Sequence, residues 1–199
     1  LRFVPDAEAP NSIRQEPMLA GVVAGRRYDE HWDANDKPVD FFDAKADVEA
    51  LLALTGKEKT VTFNTETHSA LHPGMSAAIY LDDKCVGWLG AVHPQFSKQL
   101  GTNGRVFVFE LELAALTDRK LPQAQPISKY PANRRDIAIT VKQTVKVGDI
   151  IKFVEKIGVN QLVGLNLFDV YTGQGIADGY KSLALSLILQ DPGKTLEDA

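Results

Sequence analysis

The chain has 199 residues, enough for one large or two modest domains, each with its own apolar core. Hydrophobic residues at 44% and charged residues at 24% are ordinary for a water-soluble globular protein; no run approaches membrane-span length, and Leu1-Arg2-Phe3-Val4-Pro5 is not a signal peptide. The net charge is −4, with nine Lys/Arg against eight Asp/Glu over residues 127–199 and thirteen against eighteen before them, which excludes a polycation and makes any nucleic-acid contact local and shaped.

In chain order, residues 18–27 form an apolar run with two glycines, the pattern of a buried strand. Residues 40–55 are the clearest helix. Phe41, Phe42, Ala44, Val48, Leu51, Leu52 and Leu54 recur at helical spacing, acids crowd the first turns, and Gly56 stops it. Residues 61–66 alternate as a short strand, and 76–81 with 84–92 read as a hairpin turning at Asp82-Asp83. Cys85, the sole cysteine, rules out an internal disulfide, fits a reducing, cytosolic setting and reads as a packed thiol. Residues 94–100 are a short helix ended by Gly101, and 106–113 another alternating strand. The order β-α-β-β-β-α-β predicts a largely antiparallel α+β layer. Leu121-Pro122-Gln123-Ala124-Gln125-Pro126 then breaks all periodicity with two prolines and polar spacers. The expected organisation is a domain over 1–121, a linker over 122–127 and a second domain over 128–199. The first residue is Leu, so the sequence reads as a piece of something longer.

Four groups in the first domain carry residue types found in catalytic or binding sites. His68 and His72 have the i, i+4 spacing of a helical zinc pair, but Pro73-Gly74 follows at once and a loop is expected. Ser69 or Ser76 with His72 or His93 lacks a Gly-x-Ser-x-Gly elbow. Asp82 and Asp83 read as solvated turn residues. Gly25-Arg26-Arg27-Tyr28 is either a phosphate contact or, more simply, a solvated strand end. No catalytic or metal-ligating set emerges.

The second domain opens with Tyr130 and Pro131 running through Arg134-Arg135-Asp136 into a strand over 136–141. Along it Ile137, Ile139 and Val141 face one way, Ala138 and Thr140 the other. Residues 146–157 carry an apolar helical face of Val147, Ile150, Ile151, Val154 and Ile157, capped by Gly158. Strands follow over 162–171 and 181–190. Leu183, Leu185, Leu187 and Leu189 share one face of the latter; Ser182, Ala184, Ser186 and Ile188 share the other. The glycines at 173, 175 and 179 miss the spacing of a dinucleotide fingerprint and precede a strand, so they form a hairpin loop. Thr195-Leu196-Glu197-Asp198 reads as a helix start. The domain is thus a βαββ piece of a ferredoxin-like fold, cut before its second helix and last strand, which would leave an apolar face partly uncovered and a strand edge exposed.

The run Ser128-Lys129-Tyr130-Pro131…Arg134-Arg135-Asp136, then Leu167-Phe168-Asp169-Val170-Tyr171, Lys181-Ser182-Leu183 and Thr195-Leu196 resemble the ferredoxin-fold anticodon-binding domain that ends the beta subunit of the bacterial phenylalanyl-tRNA synthetase family. Asp40-Phe41-Phe42-Asp43-Ala44-Lys45, His72-Pro73-Gly74-Met75-Ser76-Ala77 and Gly87-Trp88-Leu89-Gly90…His93-Pro94 resemble the same subunit's class II synthetase-like core. The resemblance implies an α+β protein of two domains, a class II-like mixed or antiparallel sheet followed by the truncated anticodon-binding domain. It also implies an alpha-subunit partner in an (αβ)₂ heterotetramer, tRNA(Phe) as bound nucleic acid, and no DNA or membrane. ATP and magnesium are implied for the holoenzyme and none for this chain, which would be non-catalytic and cytoplasmic. The tRNA contacts expected are Ser128, Tyr130, Arg134, Arg135, Asp136, Asp169, Tyr171 and Lys181. For Asp136 and Asp169 a salt bridge to neighbouring arginines is the competing role. The small-residue face of Ala138, Thr140, Ala184 and Ser186 lacks the exposed aromatic pair of an RRM sheet, so contacts are expected from its rim. A free-standing RNA-binding module and an assembly domain without RNA contact are the alternatives.

Overall fold

The computed structural model describes residues 1–33, 36–57, 60–121, 123, 124 and 126–196. Two compact units divide the chain, Leu1–Gln123 and Ala124–Ala199. The division falls within the proline-bearing stretch, of which Pro122 and Gln125 lie outside the described residues.

The first unit begins with a hairpin of β1 (Arg2–Pro5) and β2 (Ile13–Glu16). The sequence reading did not expect it, because two four-residue strands with mostly exposed side chains leave no periodic signal. Ion pairs hold it. Arg2 reaches Glu16 and Glu112 at 2.6 and 3.0 Å, and Arg14 reaches Glu16 and Asp6 at 2.8 and 2.9 Å. A five-stranded antiparallel sheet follows, formed by β3 (Met18–Ala24), β4 (Val61–Asn64), β5 (Leu71–Leu81), β6 (Lys84–Val92) and β7 (Val106–Glu112) in the order β3-β7-β6-β5-β4. Helices α1 (Phe41–Ala53), α2 (Pro94–Leu100) and a short α3 (Leu113–Thr117) that the sequence did not announce complete it.

Helix α1 starts where its acids dictate. The Asp40 carboxylate accepts from the N–H groups of Phe42 and Asp43, and Asp43 accepts from the Asp40 N–H at 2.8 Å, a reciprocal capping box. Ala44, Val48 and Leu52 lie on its buried side and form one core with Ile79, Leu89, Phe107, Phe109 and Leu111 of the sheet. Leu52, Ile79, Leu89 and Leu111 have no exposed surface, so each contributes roughly 1.5–3 kcal/mol of transfer free energy.

Two glycines set the sheet's close approaches. A Cβ on Gly87 would stand 2.1 Å from the Glu110 carbonyl oxygen, and one on Gly90 2.6 Å from that of Met75. Strand β5 begins at Leu71, earlier than the predicted residue 76, so His72 is in a strand and not in the loop expected from Pro73-Gly74. A register irregularity between Leu71 and Ser76 accommodates that dipeptide inside the ladder.

The second unit runs β8 (Asn133–Lys142), α4 (Val147–Ile157), β9 (Leu162–Tyr171) and β10 (Tyr180–Leu189). Strands lie in the order β8-β10-β9, with antiparallel neighbours. Parallel β8 and β9 therefore flank β10, the split βαβ of a ferredoxin-like fold. Gly158, at φ 70°, ends α4 as its left-handed cap. Leu183 and Leu185 are buried at 0% and 1% exposure, while no residue of α4 is fully buried and Ile137 stays 44% exposed. Among the described residues the apolar face is covered only in part. The predicted helix start at Thr195-Leu196-Glu197-Asp198 runs into Glu197 and Asp198, which lie outside the described residues.

Candidate nucleic-acid interface

The first unit's suggestive residues have structural employment. His68 packs against Trp88 with ring centroids 4.9 Å apart and planes tilted by 47°, and its Nδ1 accepts from the Ala70 N–H. His72 Nδ1 accepts from the Gly74 N–H at 3.0 Å, shaping the Pro73-Gly74 kink. The Ser76 hydroxyl donates to the Glu66 carbonyl at 2.6 Å, and His93 caps α2 through the Gln95 N–H. No Ser–His pair forms from these groups. Glu66 also accepts from the Tyr80 hydroxyl, a bond that holds the phenol above its usual range. Arg27 is not simply a solvated end: it clasps Asp43 at 2.8 Å and Asp40 at 3.2 Å, tying the segment after β3 to the start of α1. Among the described residues no group of three or more His, Cys, Asp or Glu is placed to hold a metal ion, and no helix is long and apolar enough to cross a membrane.

In the second unit the strand register sorts the predicted contacts by face, since paired residues of an antiparallel ladder point the same way. One face aligns Asp136 with Ser186 and Asn166, Ala138 with Ala184 and Asp169, and Thr140 with Ser182 and Tyr171. The other aligns Arg135 with Leu187, Ile139 with Leu183, and Val141 with Lys181. Arg134, Asp136, Asp169 and Tyr171 therefore share the face of small residues, whereas Arg135 and Lys181 belong to the leucine face and its rim. Lys181 Nζ donates to the Gln143 carbonyl at 3.1 Å. Ser128 and Tyr130 are not on either face. Half-buried, they stitch the approach of β8 to the exit of β10: the Tyr130 N–H donates to Ser128 Oγ, Ser128 Oγ reaches the Asp191 carbonyl, and Gln190 Nε2 donates to the Tyr130 carbonyl at 2.8 Å.

Arg134 Nε donates to Asp136 Oδ1 at 2.8 Å, so the salt-bridge role is realised at Asp136. That bond holds the Asp136 carboxyl below the ordinary carboxylate range, with a smaller contribution from nearby Ser186. The pair is about half exposed and screened by solvent, so the arginine can change partners cheaply. The sequence reading placed no pair of exposed aromatics on this face. The structure corrects it. Phe168 follows Asn166 by alternation onto this face, a bulge opposite Ala184 and Leu185 turns Asp169 onto it as well, and the Phe168 ring lies 5.4 Å from the Arg134 guanidinium. Phe168 and Tyr171 are 49% and 46% exposed. The Tyr171 ring rests over Gly173, where a Cβ would come within 2.4 Å of it, and its hydroxyl donates to the Gln174 carbonyl. The glycine loop thus gives the ring its seat. Ser186, expected to be an open small group, is instead 3% exposed.

Comparison with known proteins fits this division. Residues 1–113 match the family described as the phenylalanyl tRNA synthetase beta chain CLM domain, and residues 128–199 match the ferredoxin-fold anticodon binding domain. The chain is 58% identical over 198 residues to a phenylalanine–tRNA ligase beta subunit of Yersinia pestis, and 57% and 54% identical to those of Sodalis glossinidius and Dickeya dadantii. In each case the whole chain is covered, and it spans 25% of the relative's length. The chain belongs to the phenylalanyl-tRNA synthetase beta chain family.

Proposed function

We propose that this chain is the part of a phenylalanine–tRNA ligase beta subunit that supports assembly with the alpha subunit and holds the anticodon region of tRNA(Phe). The alpha subunit aminoacylates in the cytoplasm with ATP and magnesium, within an (αβ)₂ heterotetramer. The first unit acts as a class II synthetase-like scaffold without catalytic groups of its own. Its histidines and serines are already committed to turns, caps and stacking, and exposed Tyr28 and Trp32 offer aromatic surface for the partner.

The observation that carries the RNA reading is the convergence of Arg134, Phe168 and Tyr171 on one face floored by small side chains. Small floor residues let a nucleic-acid strand approach closely, aromatic faces stack unpaired bases, and a weakly paired guanidinium can trade its carboxylate for a phosphate. The grip is local, in keeping with a chain of net charge −4.

The test replaces Arg134 and Arg135 together by alanine in the full-length subunit assembled with alpha. The expected result is weaker tRNA(Phe) binding with a shallower salt dependence and intact assembly. Unchanged affinity and slope would leave only the assembly role. Failure of the wild-type subunit to co-purify with an alpha subunit would point to a free-standing RNA-binding module.

A further inference from the structure

The chain that leads from the first unit to the second is tied down at both of its ends by bonds between residues distant in sequence. After α3 it turns back onto the end of α1. There the Asp118 carboxylate meets the Lys57 ammonium, and the Lys120 N–H donates to the Thr55 carbonyl at 2.8 Å. Gly56, at φ 68°, leaves room for this return, since a Cβ there would stand 3.1 Å from the Lys120 carbonyl oxygen. The Lys57 side chain is only 10% exposed, although a lysine ammonium normally stays in water, and Asp118 supplies the carboxylate that meets it. That contact holds the Asp118 carboxyl below its usual range. Thr55 is buried and donates its hydroxyl to the Leu52 carbonyl at 2.6 Å, so the anchor is set against the closed core. At the far end Ser128 and Tyr130 are held to Asp191 and Gln190. Between the two clasps run seven residues, 121–127, with Leu121 and Ile127 exposed at their ends.

We infer that Lys57 and Asp118 are positioning residues for tRNA(Phe): their clasp takes up chain that would otherwise be free, and so keeps the tether to the second unit short. The inference rests on the RNA-binding reading of the second unit and adds a pair in the first unit that acts on it without touching RNA. With the clasp closed the tether has seven residues, 121–127. With it open the free chain begins after Thr117, where α3 ends, and has ten. The effective concentration of a tethered binding module falls roughly as the −3/2 power of tether length, so this lengthening lowers it about twofold. Packing alone does not call for the pair. An apolar side chain at position 57 would fill the same space and need no carboxylate partner.

The experiment measures aminoacylation of tRNA(Phe) by the full-length subunit assembled with alpha. Asp118→Ala is expected to raise KM for tRNA about twofold with kcat unchanged, and to speed hydrogen exchange at the Lys120 amide. Asp118→Glu, which keeps the carboxylate, should restore wild-type values. Inserting Gly-Ser-Gly after Leu121 lengthens the tether by the same three residues with the clasp intact. It should reproduce the rise in KM and leave the Lys120 amide protected. If only one of these two changes raises KM, the pair does not work through tether length and the inference is overturned. If neither does while tRNA binding still depends on Arg134 and Arg135, the inference is refuted and the RNA-binding reading stands. If binding is indifferent to Arg134 and Arg135 as well, both fall.

Discussion

Leu52 of the first unit and Leu185 of the second are both buried, yet they live in different surroundings. Around Leu52 a helix and a five-stranded sheet close over one another, and Ile79, Leu89, Phe107 and Leu111 are buried with it. Around Leu185 a three-stranded sheet is covered by a helix with no fully buried residue, and Ile137 and Val170 remain 44% and 50% exposed. The same contrast holds for polar residues. In the first unit Asp40, Asp43, Arg27, His72 and Ser76 are bound into caps, kinks and clasps. In the second, Arg134, Asp136, Phe168 and Tyr171 meet on an exposed face. Motif residues of similar chemical type thus serve packing in one unit and remain available to a ligand in the other, and burial decides which.

This contrast can be broken by mutation. Leu52→Ala should be the most damaging change, costing about 3 kcal/mol because a closed core cannot collapse into the void; urea unfolding followed by hydrogen exchange would place the loss in the first unit. Leu185→Ala should cost less, about 2 kcal/mol, since its half-open surroundings can relax. Equal costs would mean the second unit is as tightly closed as the first. Gly87→Ala should lower stability by roughly 1–3 kcal/mol through the clash with the Glu110 carbonyl, whereas Gly175→Ala, with nothing within 4 Å of a Cβ, should cost only its left-handed φ of 92°. Phe168→Leu should move stability by no more than about 0.5 kcal/mol, the mark of a surface residue kept for binding.

The smallest effect concerns pH. Asp136 has its folded pKa depressed by the Arg134 bond. Its contribution is therefore present above the unfolded carboxylate value of about 3.9 and is lost as pH falls below that value through the folded one. Thermal unfolding of Asp136→Asn should differ from wild type by the same small margin at neutral pH and at mildly acidic pH, and converge with it only in strong acid. A difference that grows on acidification would reverse the assigned sign.

Much of this was legible in the chain. Helix α1 announced itself through its acids and apolar spacing, α4 through its stripe and Gly158, and β10 through its alternating leucines, because in each case local chemistry and tertiary burial agree. The hairpin of β1 and β2 did not show, since long-range ion pairs from Arg2 and Arg14 hold it. The early start of β5 was hidden by Pro73-Gly74, which normally punctuates a strand. At the candidate site, the adjacency of Arg134 and Asp136 let their ion pair be anticipated from the sequence. That Phe168 and Asp169 share a face could not be read, because a bulge depends on the partner strand. The clasp of Ser128 and Tyr130 on Gln190 and Asp191 needed the two ends of the sheet to be brought side by side.

The most direct test of the division between the units compares the salt dependence of tRNA(Phe) binding by the full-length assembled protein carrying either Arg134→Ala or Arg26→Ala. Arg26 is an exposed arginine of the first unit that pairs with Asp36. The account predicts that Arg134→Ala weakens binding and reduces the slope of log affinity against log salt by about one, and that Arg26→Ala leaves both unchanged. Equal effects of the two substitutions, or an effect of Arg26→Ala alone, would contradict it.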